Sequence, residues 1–74
     1  SRAEALEFVI REESEVTGIP LMNLNLKNNL LIGCINRGGN IKIARGQDCI
    51  QQGDTVIVLT SQKGLRDIRD ILRK

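Results

Sequence analysis

Seventy-four residues make a single domain, and at this size folding buries only about 60% of the surface of the unfolded chain. With one aromatic residue, Phe8, the core must come from Ile, Leu and Val, each contributing about 1.5–3 kcal/mol when fully buried, and self-association would supply what so small a core lacks. Eleven basic against nine acidic residues leave a formal charge of +2, too little to suggest a polyanion-binding surface, so no nucleic acid partner is expected.

Ala5 to Arg11 alternates, with Leu6, Phe8 and Ile10 on one side and Glu7, Val9 and Arg11 on the other. This period of two predicts a first, half-buried strand, although Ala3 to Glu7 also has high helix propensity. The acidic cluster Glu12-Glu13-Ser14-Glu15 ends the pattern as a solvated connection. Gly18-Ile19-Pro20 predicts the start of a short helix, because proline suits a first helical turn, and Leu21 and Leu24 then share a face. Lys27-Asn28-Asn29 is a polar loop leading into the second strand.

That strand is Leu30 to Arg37, read with Leu31, Gly33 and Ile35 on one face and Leu30, Ile32 and Cys34 on the other. Both faces are apolar, so both need cover, one from the helix and the other from a second subunit. Gly33 inside the strand suggests a bulge or a close approach by another backbone or a ligand. Gly38-Gly39 predicts a two-residue hairpin, since its turn needs positive φ. Asn40 to Ala44 follows as the third strand, then a turn at Arg45-Gly46, Gly53-Asp54, and a fourth strand Thr55 to Thr60. From Ser61 to Lys74, Leu65, Ile68, Ile71 and Leu72 share a helical stripe, which predicts an amphipathic C-terminal helix with Lys63–Asp67 and Asp70–Lys74 pairs four residues apart.

Chemistry is sparse. There is no histidine to act as general base, no serine with an evident activating partner, and no glycine fingerprint for a phosphate, so no enzymatic activity is expected. Cys34 and Cys49 have neither the spacing nor the histidines of a zinc site and are expected to be reduced thiols packed as small hydrophobes in a cytosolic protein. Without Tyr or Trp there is no stacking platform for single-stranded bases. No apolar run approaches the roughly 18–20 residues that span a bilayer, and no signal-peptide pattern opens the chain, so it is expected to be soluble. Arg37 and Arg45 flank the hairpin, and Lys27 with Asn28 and Asn29 precedes the second strand; these residues could hold a phosphate, but turn positions and solvated strand ends are the simpler reading.

Glu4-Ala5-Leu6-Glu7-Phe8-Val9, Thr17-Gly18-Ile19-Pro20-Leu21, Leu31 to Gly39, Ile41 to Gly46 and Gln52 to Val58, in this order and spacing, resemble the TrkA C-terminal domain family, the C-terminal lobe of regulators of potassium conductance. One departure is Ala44, where the family commonly has proline before the turn. The resemblance implies an α+β fold: a small four-stranded, largely antiparallel sheet with a short helix after strand 1 and a C-terminal amphipathic helix, paired as a homodimer. Residues 1–74 would then be one regulatory domain of a longer protein, at the cytoplasmic face of the membrane beside a Trk- or Ktr-type potassium transporter. NAD or ATP would bind only in a separate N-terminal lobe. Some family members bind cyclic di-adenosine monophosphate between two subunits, and the corresponding positions here are Asn25, Leu26, Lys27, Asn29, Leu31 and Ile32. Lys27 stands where those members carry arginine, and Asn25 where they carry aspartate.

Two alternatives follow from the same residues. Gly39 to Arg45 with Gly53 to Val56 is similar to the swapped-hairpin DNA-binding proteins of the AbrB type, although the low charge and the forty preceding residues count against it. The other is a module that binds no small molecule and only holds subunits together.

Overall fold

The computed structural model describes residues 2–73. Four strands, β1 (Glu4–Val9), β2 (Leu30–Arg37), β3 (Asn40–Ile43) and β4 (Thr55–Thr60), form one sheet of order β1-β4-β2-β3, antiparallel throughout. The β2–β3 hairpin turns through Gly38 (φ 59) and Gly39 (φ 88), as their sequence predicts, and the Gly39 amide donates to the Asn36 side-chain carbonyl at 3.1 Å. Two positive φ values in succession are what a two-residue turn requires if it is to match the twist of its strands.

Gly33 decides which side chains face which way. Ile32 pairs with Val58 but Cys34 with Ile57, so the β2–β4 register slips by one residue at Gly33. An extra residue in one strand reverses the alternation beyond it. Leu30, Ile32 and Ile35 therefore share the inner face, and Leu31 and Cys34 the outer one, correcting the uninterrupted alternation expected from sequence. A Cβ at Gly33 would lie 3.4 Å from both the Ile57 carbonyl oxygen and Leu59 Cδ1.

Inner-face rows run Leu6–Val58–Ile32 and Phe8–Val56–Ile35. Val16, Leu21, Ile50 and Ile71 close over them from the connecting segments, so that Ile35, Val56, Val58, Val16, Ile50 and Ile71 are fully buried. Outer-face rows run Val9–Thr55–Asn36–Ile41, Glu7–Ile57–Cys34–Ile43 and Ala5–Leu59–Leu31. Among the described residues no connecting segment covers this face, and Ile43 remains 75% exposed.

The fold class departs from the α+β expectation, because there is no α-helix among the described residues. In place of a short helix after strand 1 there is a single 3-10 turn, Leu21–Asn23. Its leading amides are taken by the opposite loop, Leu21 N–H donating to the Asp48 carbonyl at 2.8 Å and Met22 N–H to that of Gly46 at 2.9 Å. The expected C-terminal amphipathic helix is likewise only a 3-10 turn, Ile68–Ile71. Gly64 (φ 81) interrupts the stretch, and Asp67, in extended backbone, caps the turn by accepting from the Arg69 amide. Short carboxylates compete with a helix in this manner by binding nearby amides. The tail's backbone is also bound to the 25–27 segment, since Lys27 N–H donates to the Ile71 carbonyl and Arg73 N–H to that of Asn25, both at 2.8 Å. The Lys63–Asp67 pair is replaced by Asp67–Arg69 at 3.1 Å, while the Asp70–Lys74 pair lies outside the described residues.

Candidate functional site

The 25–32 segment splits the residues expected to meet a ligand into two groups. Leu26, Leu31 and Ile32 come together with Leu21, Met22, Ala44, Arg45 and Gly46 around a shallow, mainly apolar groove of about 170 Å³. Asn25, Lys27 and Asn29 do not line it. Asn25 and Lys27 flank the Leu26–Leu72 bridge, with their backbone committed to the tail. Asn29 (φ 58) is a turn residue whose carbonyl accepts from Thr60 Oγ1 at 2.9 Å and from the Ser61 amide at 3.2 Å.

The groove follows from the hairpin register. Cys34 pairs with Ile43, and the Ala44 amide donates to the Gly33 carbonyl at 3.0 Å, so the chain after β3 runs beside the first half of β2. The 3-10 turn is bound to the same loop at Gly46, which brings Leu21 and Met22 to the other wall. Leu21, Met22, Ala44 and Gly46 were not among the expected ligand contacts, and Arg45 was expected only as a turn residue able to hold a phosphate. Counting residues back from Gly38-Gly39 places Arg45 near Ile32, a signal already present in the sequence. The approach of Met22 depends on a tertiary bond and had none.

The two hairpin arginines have different surroundings. Arg37 is bound to Asp54 through both prongs of its guanidinium, and it also donates from Nη2 to the Cys49 carbonyl at 2.8 Å. Its hydrogen bond to Asp54 raises the Arg37 pKa and holds the Asp54 carboxyl below the usual carboxylate value. Arg45, at the mouth of the groove, is in none of the ion pairs among the described residues. Its backbone amide donates to Asp48 Oδ2 at 2.8 Å, and Asp48 also pairs with Lys42 at 3.0 Å. Lys42 first, and then that amide, lower the Asp48 pKa.

A roomier cleft of about 550 Å³ lies between the 7–12 segment and the 66–69 segment. Its lining mixes Glu7, Arg11, Glu12, Arg66, Asp67 and Arg69, and Asp67 and Arg69 satisfy each other. Among the described residues no group of His, Cys, Asp or Glu side chains is arranged to hold a metal ion, and no helix is long and apolar enough to cross a membrane. Cys34 and Cys49 are half-buried free thiols. The four strands pair within one chain, β1 with β4, β4 with β2 and β2 with β3.

A sequence model of the TrkA-C domain matches residues 5–73. A Pyrococcus abyssi protein named Trk system potassium uptake protein TrkA homolog is 34% identical over 73 residues, 97% of this chain and 32% of that protein. A protein of the same name from Archaeoglobus fulgidus is 29% identical over 70 residues, 95% of this chain and 16% of its own length. The Haemophilus influenzae Trk system potassium uptake protein TrkA is 34% identical over 64 residues, 82% of this chain and 14% of that protein. The chain thus spans about a third or less of these relatives.

Proposed function

The chain belongs to the TrkA-C domain family, and from that premise we propose that it is the regulatory domain of a potassium uptake system, working as a pair and responding to a small ligand. The observation that carries this reading is the match over residues 5–73, together with relatives named for potassium uptake that align over nearly the whole chain. The active partner would be a membrane potassium transporter, with this domain at its cytoplasmic face. The domain supplies no catalysis. Its contribution is a preference between two subunit arrangements, and couplings of this kind are typically about 1–3 kcal/mol.

The ligand class that fits the groove is a cyclic dinucleotide such as cyclic di-adenosine monophosphate. Leu21, Met22, Leu26, Leu31 and Ala44 offer apolar surface to a purine, and Arg45 offers a guanidinium to a phosphate. At about 170 Å³ the groove is smaller than the roughly 300–1,000 Å³ of sites that enclose a ligand. It would take one half of a two-fold ligand, the second copy taking the other. Lys27 lies outside the groove, so the phosphate role expected of it passes to Arg45.

Thermal shift and calorimetry with cyclic di-adenosine monophosphate test this reading. At 100 times its dissociation constant a ligand of the native state stabilises by about 2.7 kcal/mol. A flat response across cyclic dinucleotides would remove the sensor role and leave a module that only pairs subunits.

A further inference from the structure

We propose that the open edge of β1 docks an extended peptide segment of another protein, one that presents apolar and acidic side chains together. The proposal goes beyond the regulatory reading and does not depend on it. β1 stands at one end of the strand order, and its pairing with β4 runs unbroken from Glu4–Thr60 to Val9–Thr55. Just past the strand, the Ile10 amide donates to the Asp54 carbonyl and the Ile10 carbonyl accepts from the Gly53 amide, both at 2.8 Å. Both backbone groups of Ile10 thus turn toward the β4 side. Such groups alternate sides along an extended strand, which turns those of Phe8, Leu6 and Glu4 the same way and those of Ala5, Glu7 and Val9 outward. Among the described residues no turn, loop or cap bond takes up these outward groups. A row of this kind is a template for one more strand.

A trench follows the same edge. The cleft of about 550 Å³ between the 7–12 and 66–69 segments is continued by a smaller one of about 160 Å³ between Arg2, Glu4 and Leu6 and the 61–65 segment. The 61–69 stretch therefore runs beside β1, with no backbone hydrogen bond between the two among the described residues. Leu6 and Phe8 on the strand, with Leu65 and Ile68 on the tail, give the trench a half-buried apolar floor. Its tail wall is basic. Arg69 is taken by Asp67, whose hydrogen bond raises its pKa, with the charges of Glu12 and Glu15 adding to the effect. Lys63 and Arg66 are exposed and in none of the ion pairs among the described residues. Glu4, on the inner face, is the strand's own carboxylate on this side, while Glu7 lies on the outer face. An added strand would thus set its inward side chains against an apolar floor and two cations. Exposed charge pairs contribute little, so the backbone bonds and the floor supply the affinity and the cations select the partner. A second copy fits the edge poorly, because a two-fold pairing centred on Glu7 sets that carboxylate against itself.

The probe that tests the site is the acetylated, amidated pentapeptide Glu-Thr-Leu-Thr-Glu, whose alternation puts the leucine and both carboxylates on one face. Titrated to several millimolar into the isotopically labelled chain, it is expected to shift the amide resonances of Ala5, Glu7 and Val9 and to slow their exchange with solvent. Glu7→Pro removes one outward donor at an edge where proline leaves the β4 ladder intact, and should weaken binding by about 5–10-fold although it also removes a carboxylate. The double variant Lys63→Glu, Arg66→Glu should lose this probe and gain the peptide Lys-Thr-Leu-Thr-Lys, a reversal that misfolding cannot produce. No shift at the three edge amides, or shifts confined to the groove around Met22 and Arg45, would overturn the site. Equal binding of both peptides to the wild type would overturn the acidic partner. Exchange at these amides that slows with protein concentration in the absence of peptide would overturn the proposal in favour of a second copy.

Discussion

Arg37 grips Asp54 with two parallel hydrogen bonds, Nε to Oδ1 at 2.8 Å and Nη2 to Oδ2 at 2.9 Å, and so joins the end of β2 to the start of β4. Asp54 is fully buried, whereas the Arg37 side chain is 42% exposed. Asp54 Oδ2 also accepts from the Gln51 amide at 2.8 Å, so this carboxylate holds the 49–54 loop in place as well as the hairpin. A planar guanidinium suits the arrangement because it presents its donors as a rigid fork.

Removing that carboxylate should loosen the loop. Asp54→Asn keeps the shape but loses the charge and one acceptor, leaving the guanidinium poorly paired. The expected loss is about 2–3 kcal/mol in urea unfolding, less than for a fully buried pair because Arg37 reaches water. Arg37→Lys should also destabilise, since an ammonium cannot make both contacts. An unchanged midpoint for Asp54→Asn would show that the pair contributes nothing net.

Acid sensitivity should trace to the same residue. The Arg37 hydrogen bond lowers the Asp54 pKa below its ordinary value of 3.8, so the unfolded chain takes up a proton more readily than the folded one. Stability then rises with pH through this window. The contribution is fully present above the ordinary value and is lost as pH falls through the lowered, folded value. Asp48 and Asp70 are shifted in the same direction. Urea midpoints measured from neutral pH downward should therefore fall in acid, and Asp54→Asn should fall less steeply than the wild type.

Gly33 should accept one carbon and little more. The 3.4 Å spacing to Ile57 and Leu59 is ordinary contact, so Gly33→Ala is expected to cost under about 1 kcal/mol. Gly33→Val would press a branched side chain against the β4 backbone and should cost about 1–3 kcal/mol. Thermal unfolding of the two variants distinguishes a bulge kept open for packing from one that tolerates any residue.

Ligand binding should depend on Arg45 more than on Lys27. If a cyclic dinucleotide stabilises the wild type, Arg45→Ala should abolish most of that shift, and Lys27→Ala should leave most of it. The reverse order would put the phosphate on the 25–29 segment and away from the groove.

In the tail, Asp70 accepts from the Arg66 amide at 2.8 Å and the Asp67 amide at 3.0 Å. These two bonds lower its pKa, and the nearby Lys27 charge adds to the effect. Asp70→Ala should raise hydrogen exchange at Arg66 and Asp67 well before it affects the β4 amides, because local openings cost less than global unfolding.

All four strands, the Gly38-Gly39 turn and the irregularity at Gly33 could be read from alternation and from glycine chemistry, which act over neighbouring residues. The two helices could not. Ile68 and Ile71 fit a 3-10 turn as well as an α-helix, and the choice fell to bonds from Arg73 and Lys27 that join segments more than forty residues apart. The groove was half legible, Leu26, Leu31 and Ile32 from the resemblance, while its other wall depended on Met22 meeting Gly46.

By itself, the order of apolar, glycine and β-branched residues determined the strands and the family. Which face each β2 side chain occupies was decided only in the assembled sheet, because a bulge exists only against a partner strand. One residue of slip at Gly33 sent Ile35 into the core and left Leu31 in the open, and a single strand read alone has no register to slip.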